Sequence, residues 1–160
     1  MTSSRQNEEL TPQGDLEEGG IHGLLGYQLA QAAIVTTATF VRVAGKPFDL
    51  RPVEFTILQL IRQNPEATAT QLAKALAIST PGVASWLDRL VVRGLVKRER
   101  SVADRRAQHV RLTRKGAELV GSVLKNLLQG DRELLSHLSQ GEQRILVELL
   151  HKVAQARRHR

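Results

Sequence analysis

Residues 89–115 read RLVVRGLVKRERSVADRRAQHVRLTRK, and this stretch constrains the fold more than any other. It holds ten Lys or Arg against two acids, Glu99 and Asp104, an excess of eight. The whole chain carries +7, so everything outside the stretch nets slightly negative. Positive charge concentrated in this way is the electrostatic footprint of a nucleic-acid surface. The stretch also has internal order. Residues 95–100 and 108–112 read as two short strands, Val110 and Leu112 alternating with His109 and Arg111, around a polar tip at 101–106. A basic hairpin is therefore predicted, and its meaning depends on what precedes it.

Two helices precede it. Pro52 opens one at a position where its missing N–H costs nothing. Phe55, Leu58, Leu60 and Ile61 form its stripe, and Asn64-Pro65 stops it. Thr68-x-x-Gln71 is a capping box for the next helix, which buries Leu72, Ala73 and Leu76. After a tight turn, Thr80 is predicted to cap a further helix with Pro81 at its first position. Val83, Trp86, Leu87, Leu90 and Val91 make its inner face, Trp86 being read as core. Gly82, Ser85, Arg89 and Arg93 point outward, and Gly94 suits a left-handed C-cap. Two helices across a tight turn, the second exposing small and basic residues, form a helix-turn-helix. A basic hairpin directly after it is a wing.

The flanks are helical. Residues 21–44 read as one long helix, with Leu25, Leu29, Ala32, Ala33, Thr36, Phe40 and Val43 on one side and Gly45, Lys46 and Pro47 ending it. Thr113 starts a helix whose stripe is Ala117, Val120, Leu124, Leu127 and Leu128, with Gly130 placed to kink or break it. Ser139-x-x-Glu142 caps the last helix, whose apolar side is Ile145, Leu146, Leu149, Leu150 and Val153. Residues 1–20 carry five acids and one Arg and read as a disordered acidic tail. Such a tail is either solvated or competes with DNA for the basic face. The closing ARRHR is solvated or touches phosphate.

Composition removes several function classes. Aromatics are 3%, too few for a base-stacking platform on single strands. Cysteine is absent, which excludes disulfides and thiolate metal sites. The five His show no metal-ligand spacing, and no Gly-rich phosphate loop or nucleophile elbow occurs. No enzyme, metal or cofactor is expected. Lacking a long apolar run or a secretory pattern, the chain reads as cytoplasmic.

The order of these elements resembles the MarR family of bacterial winged helix-turn-helix transcriptional regulators. The resemblance covers about residues 22–156. Its most specific parts are Leu87-Asp88-Arg89-Leu90, Gly94-Leu95-Val96, and Asp104-x-Arg106 followed by Leu112-Thr113-x-x-Gly116. It implies a mostly α fold with a small hairpin wing, and one domain over 21–160. Within it, 50–113 would be the DNA-binding lobe, and 21–45 with 114–156 the helices that pair two copies. Arg51 stands where the family often places a Thr cap, so that cap is expected to be missing.

Groove contacts are expected from Thr80, Pro81, Gly82, Ala84, Ser85 and Arg89, where small residues let the helix backbone approach base edges. Lys97, Arg98, Arg100, Arg105 and Arg106 would serve the wing, an Arg at its tip entering a narrow minor groove. Asp104 forms the turn and holds Arg106 in one rotamer. The resemblance further implies a homodimeric repressor released from a palindromic operator by a small ligand, often aromatic or anionic. His22, Tyr27, Arg42 and Phe48 lie near the expected ligand cleft. Arg42 is either an anion partner there or a surface ion pair. Two other classes remain: a sequence-nonspecific architectural DNA binder, and a winged-helix module that binds protein.

Overall fold

The computed structural model of the protein describes residues 10–100 and 108–159. Its main elements are α1 (Leu25–Phe40), α2 (Pro52–Gln63), α3 (Ala69–Leu76), α4 (Thr80–Val92), β1 (Val96–Arg100), β2 (Gln108–Leu112), α5 (Arg114–Leu134) and α6 (Gln140–Gln155). This is the expected mostly helical fold with an antiparallel hairpin. Tertiary contacts divide it into two compact units. One is Phe40–Gly130, and the other joins the residues up to Thr39 with those from Asp131 onward.

The Phe40–Gly130 unit has an aliphatic core. Ile57, Leu58 and Ile61 of α2 share one helical face and are at most 1% exposed. They pack with Leu72 of α3, Val83, Leu87 and Leu90 of α4, Val110 of β2, and Val120 and Val123 of α5. Each such side chain contributes about 1.5–3 kcal/mol by leaving water, well above any helix-propensity term.

Local chemistry sets the corners. Thr68 and Gln71 make the predicted capping box at the start of α3. The cap of α4 is Ser79, not Thr80: its Oγ accepts the Gly82 N–H at 3.2 Å. Thr80 and Pro81 are already helical. Pro81 has no N–H to offer, so Gly82 supplies the donor that Ser79 reaches. Gly94 closes α4 at φ +67°, with its N–H on the Val91 carbonyl and the Leu95 N–H on that of Leu90. The hairpin pairs Val96 with Leu112, Arg98 with Val110 and Arg100 with Gln108. A third short edge joins it, since the Val110 N–H donates to Ala67 O at 3.1 Å and Thr68 bridges His109.

The start of α5 is locked to the α4–β1 corner. The Thr113 hydroxyl donates to Gly94 O at 2.7 Å and accepts the Gly116 N–H at 3.0 Å. Gly116 lies so close to the Leu95 backbone that a Cβ there would stand 2.1 Å from the Leu95 carbonyl oxygen. Gly130 does not break α5, which runs on to Leu134. One helical Gly costs only about 1 kcal/mol, too little to interrupt a helix of this length.

The first long helix ends later than expected. After α1 the chain makes a π-helical turn, Val41–Gly45, then a last turn, Lys46–Phe48, and stops at Asp49 with φ 50°. An α-helical Pro47 would collide with the carbonyl four residues back, and the wider π turn relieves this.

In the other unit, α6 has its predicted box: Ser139 N–H donates to Glu142 at 2.8 Å, and Glu142 N–H to Ser139 Oγ at 3.3 Å. Residues 10–20, expected to belong to a disordered tail, carry local structure instead. Leu10 bridges Glu17, Thr11 N–H donates to Leu16 O, and Glu18 is buried. The rest of that expected tail lies outside the described residues. Leu25 and Leu29 of α1 and the whole apolar side of α6 are exposed, Ile145, Leu146, Leu149, Leu150 and Val153 at 38–56%. Among the described residues no helix is long and apolar enough to cross a membrane.

Candidate nucleic-acid interface

The groove face predicted on α4 starts at its capped end. Thr80, Pro81 and Ser85 are exposed, while Gly82 and Ala84 are half-buried. No bulky side chain stands among these five, so the helix backbone itself is open to a close-fitting partner. Arg98 is exposed on β1, and Arg100 ends that strand opposite Gln108. Asp104, Arg105 and Arg106 lie outside the described residues.

Among the described side chains, the cations of the 89–115 stretch are used within the fold. Arg98 Nη2 donates to Asp88 of α4 at 2.7 Å, tying wing to helix. Lys97 and Arg111 flank Glu99 across the hairpin. The Lys97 ammonium, then the Arg111 charge, hold the Glu99 carboxyl below the usual carboxylate range. Lys115 Nζ donates to Arg93 O at 3.0 Å, at the negative end of the α4 dipole. Arg114 pairs with Glu118 one turn along α5. Most of these side chains remain solvent-facing, so a phosphate would compete with the protein's own acids for them.

Behind α4 sits a buried acid that no local sequence signal marks. Glu54 of α2 is 1% exposed. Its Oε2 accepts the Arg51 N–H at 2.9 Å, capping α2 although no Thr is present. The reciprocal half of a capping box is lacking, because a guanidinium only donates. Glu54 Oε1 lies 3.9 Å from both Arg89 Nη2 and Arg93 Nη1. Arg93, expected to point outward, turns in and donates to Phe48 O at 3.1 Å. Trp86, expected to be core, is only partly buried, and the Arg89 and Arg51 guanidinium carbons lie 5.1 and 5.5 Å from its ring centroid.

The expected ligand residues fall in both compact units. His22 and Tyr27 meet on Glu18, the Tyr27 hydroxyl donating to Oε1 at 2.7 Å and His22 Nδ1 contacting Oε2. The Tyr27 hydroxyl, then His22, hold the Glu18 carboxyl below its ordinary range, and the carboxylate in turn raises the Tyr27 phenol. Arg42 and Phe48 belong to the other compact unit. A cleft of about 660 Å³ lies between the end of α2, the start of α3 and Arg111, and none of the four residues lines it.

Known proteins share this arrangement. Residues 50–107 match the model of the MarR family. A curated relative from Thauera aromatica, described as a putative transcriptional regulatory protein for the hcr operon, is 25% identical over 87% of this chain and 84% of its own. The repressor CouR, solved bound to a 23-mer DNA duplex, is 31% identical with a TM-score of 0.81, over 88% of this chain and 99% of that one. BpsR from Bordetella bronchiseptica, solved in work on regulation of its DNA binding by 6-hydroxynicotinic acid, is 26% identical with a TM-score of 0.74, over 82% and 94% of the two chains. With a capped helix-turn-helix, a wing locked to it, and this extent of likeness, the chain belongs to the MarR family of winged-helix transcriptional regulators.

Proposed function

We propose that this regulator is a homodimeric repressor that binds a palindromic operator and is released by a small aromatic or anionic ligand. The observation that carries DNA binding is the pairing of an open, small-residue face on α4 with a wing tied to it through Asp88 and Arg98. In this reading Thr80, Pro81, Gly82, Ala84, Ser85 and Arg89 meet the major groove. Arg98, Arg100 and the Asp104–Arg106 tip meet phosphates and the minor groove. The bare apolar sides of α1 and α6 support pairing of two copies, because an isolated chain would leave them in water. Two lobes in one dimer then address two half-sites. Ligand release is supported by BpsR, whose DNA binding is regulated by 6-hydroxynicotinic acid. A coupling of about 1–3 kcal/mol would suffice for a useful switch.

Duplex selection from a randomised pool, followed by binding at several salt concentrations, tests the reading. A selected palindrome is expected. Affinity should fall about 10³–10⁵-fold between 50 and 200 mM salt if six to ten phosphates are met. Salt-dependent binding without a preferred sequence would mean an architectural binder, and no binding would mean a protein-interaction module. Repeating the selection with aromatic acids present identifies the ligand class. A monomer in sedimentation equilibrium would refute the dimer.

A further inference from the structure

We propose that Glu54 and Trp86 are positioning residues for the groove-facing helix. They fix the guanidinium plane of Arg89 before DNA arrives, leaving one edge of it open to an acceptor. This rests on the DNA-binding reading above and deepens it.

Glu54 is the buried member of the group. A buried carboxylate oxygen without a hydrogen bond is costly, and folds retain one where it serves something else. Among the described residues Oε1 has no such partner. It stops 3.9 Å from Arg89 and from Arg93, about 1 Å beyond a charge-assisted hydrogen bond. The carboxylate cannot rotate to close either gap without releasing the Arg51 N–H that caps α2. Arg93 is held on the Phe48 carbonyl. Of the two cations near Oε1, Arg89 is the more exposed, its side chain at 51% against 27% for Arg93.

A guanidinium carries five in-plane donors and no acceptor. Contact with the Trp86 ring uses a face and no donor. The Glu54 charge draws one edge inward, and the donors on the exposed side stay available. Two guanidinium groups, Arg51 and Arg89, lie over one indole ring, and the Glu54 charge stands 3.9 Å from the second of them. A long side chain loses rotamer freedom when it engages a partner. Here part of that freedom is already gone in the free protein, which is preorganisation for binding.

The test is a double-mutant cycle on the duplex that the wild-type protein selects from a randomised pool. Glu54→Gln keeps an oxygen for the Arg51 N–H and removes the charge. It is expected to weaken binding about tenfold in the wild-type background and less than about twofold in an Arg89→Ala background. Trp86 is the single tryptophan of the chain. In the free protein its emission in Glu54→Gln should move toward that of Arg89→Ala, a shift that a purely structural role would not produce. Equal losses in both backgrounds would overturn the proposal. If Glu54→Gln fails to fold, Trp86→Leu combined with Arg89→Ala gives the same cycle and the same two outcomes. A wild-type protein that selects no duplex defeats the DNA reading and this inference together. One that selects a duplex but gives an additive cycle defeats the inference alone.

Discussion

Replacing Gly116 by Ala places a methyl group against the backbone of the α4–β1 corner. In an exposed helix the same change stabilises by about 1 kcal/mol, because Ala has the better helix propensity. Here the added Cβ would stand 2.1 Å from the Leu95 carbonyl oxygen and 3.0 Å from its carbon. Ordinary contact therefore needs a displacement of about 1 Å between two pieces of backbone. The Leu95 carbonyl also accepts the Thr113 N–H at 3.0 Å, so moving it stretches the bond that starts α5. Overpacking of this kind costs about 1–3 kcal/mol, and a weakened buried hydrogen bond adds about 1 kcal/mol. After the propensity gain, a net loss of about 1–3 kcal/mol is expected. For a chain of this size that lowers Tm by about 2–12 °C. Gly121 is the internal control, since it lies on the same helix and its nearest neighbour is the Arg62 guanidinium at 3.7 Å. Gly121→Ala should raise Tm by about 2–4 °C. Melting followed by circular dichroism, at one protein concentration so that association does not intrude, reads both variants. Gly116→Ala melting at or above the wild type would refute the close-approach argument.

Three further outcomes are expected. Ser79→Ala should cost about 1 kcal/mol in urea denaturation and Thr80→Ala less than about 0.5 kcal/mol, and the reverse order would return the α4 cap to Thr80. Asp88→Asn releases Arg98, so affinity for a mixed-sequence duplex at low salt should rise, while stability changes by less than about 0.5 kcal/mol because both side chains are exposed. Unchanged binding there would mean that Arg98 does not meet DNA. The Glu18 carboxyl is depressed by the Tyr27 hydroxyl and then by His22, so its folded pKa lies below the unfolded one. The cluster's contribution is therefore complete above the ordinary carboxylate value and lost as pH falls through the lower folded value. Amide exchange around residues 18–22 should accelerate on acidification through that window, and Glu18→Gln should remove the pH dependence.

Much of the lobe was legible because its signals are local. Thr68 with Gln71, Ser139 with Glu142, Gly94 at φ +67° and the period-two hairpin each depend on residues within a few positions. The Ser79 cap was missed by one residue, since Ser79 and Thr80 have the same capping chemistry and only backbone angles separate them. The Ala67–Thr68 edge carried no strand signal, being two residues recruited by an existing hairpin. Glu54 carries no local signal that separates it from a surface acid at the start of a helix. Its charged neighbours, Arg89 and Arg93, stand 35 and more positions along the chain.

That a helix pair and a basic hairpin stand in this order is written in the chain, because caps, breakers and apolar periods act within a turn or two. The place of the positive charge is written there too. What that charge does was decided by tertiary structure. Arg98 finds Asp88 across ten residues, Lys115 finds the carbonyl of Arg93, and Arg89 finds Trp86 and Glu54. Charge is a property of composition, but its partners depend on which backbones approach. That approach depends in turn on a glycine at 116 being small enough to let α5 lie against Leu95.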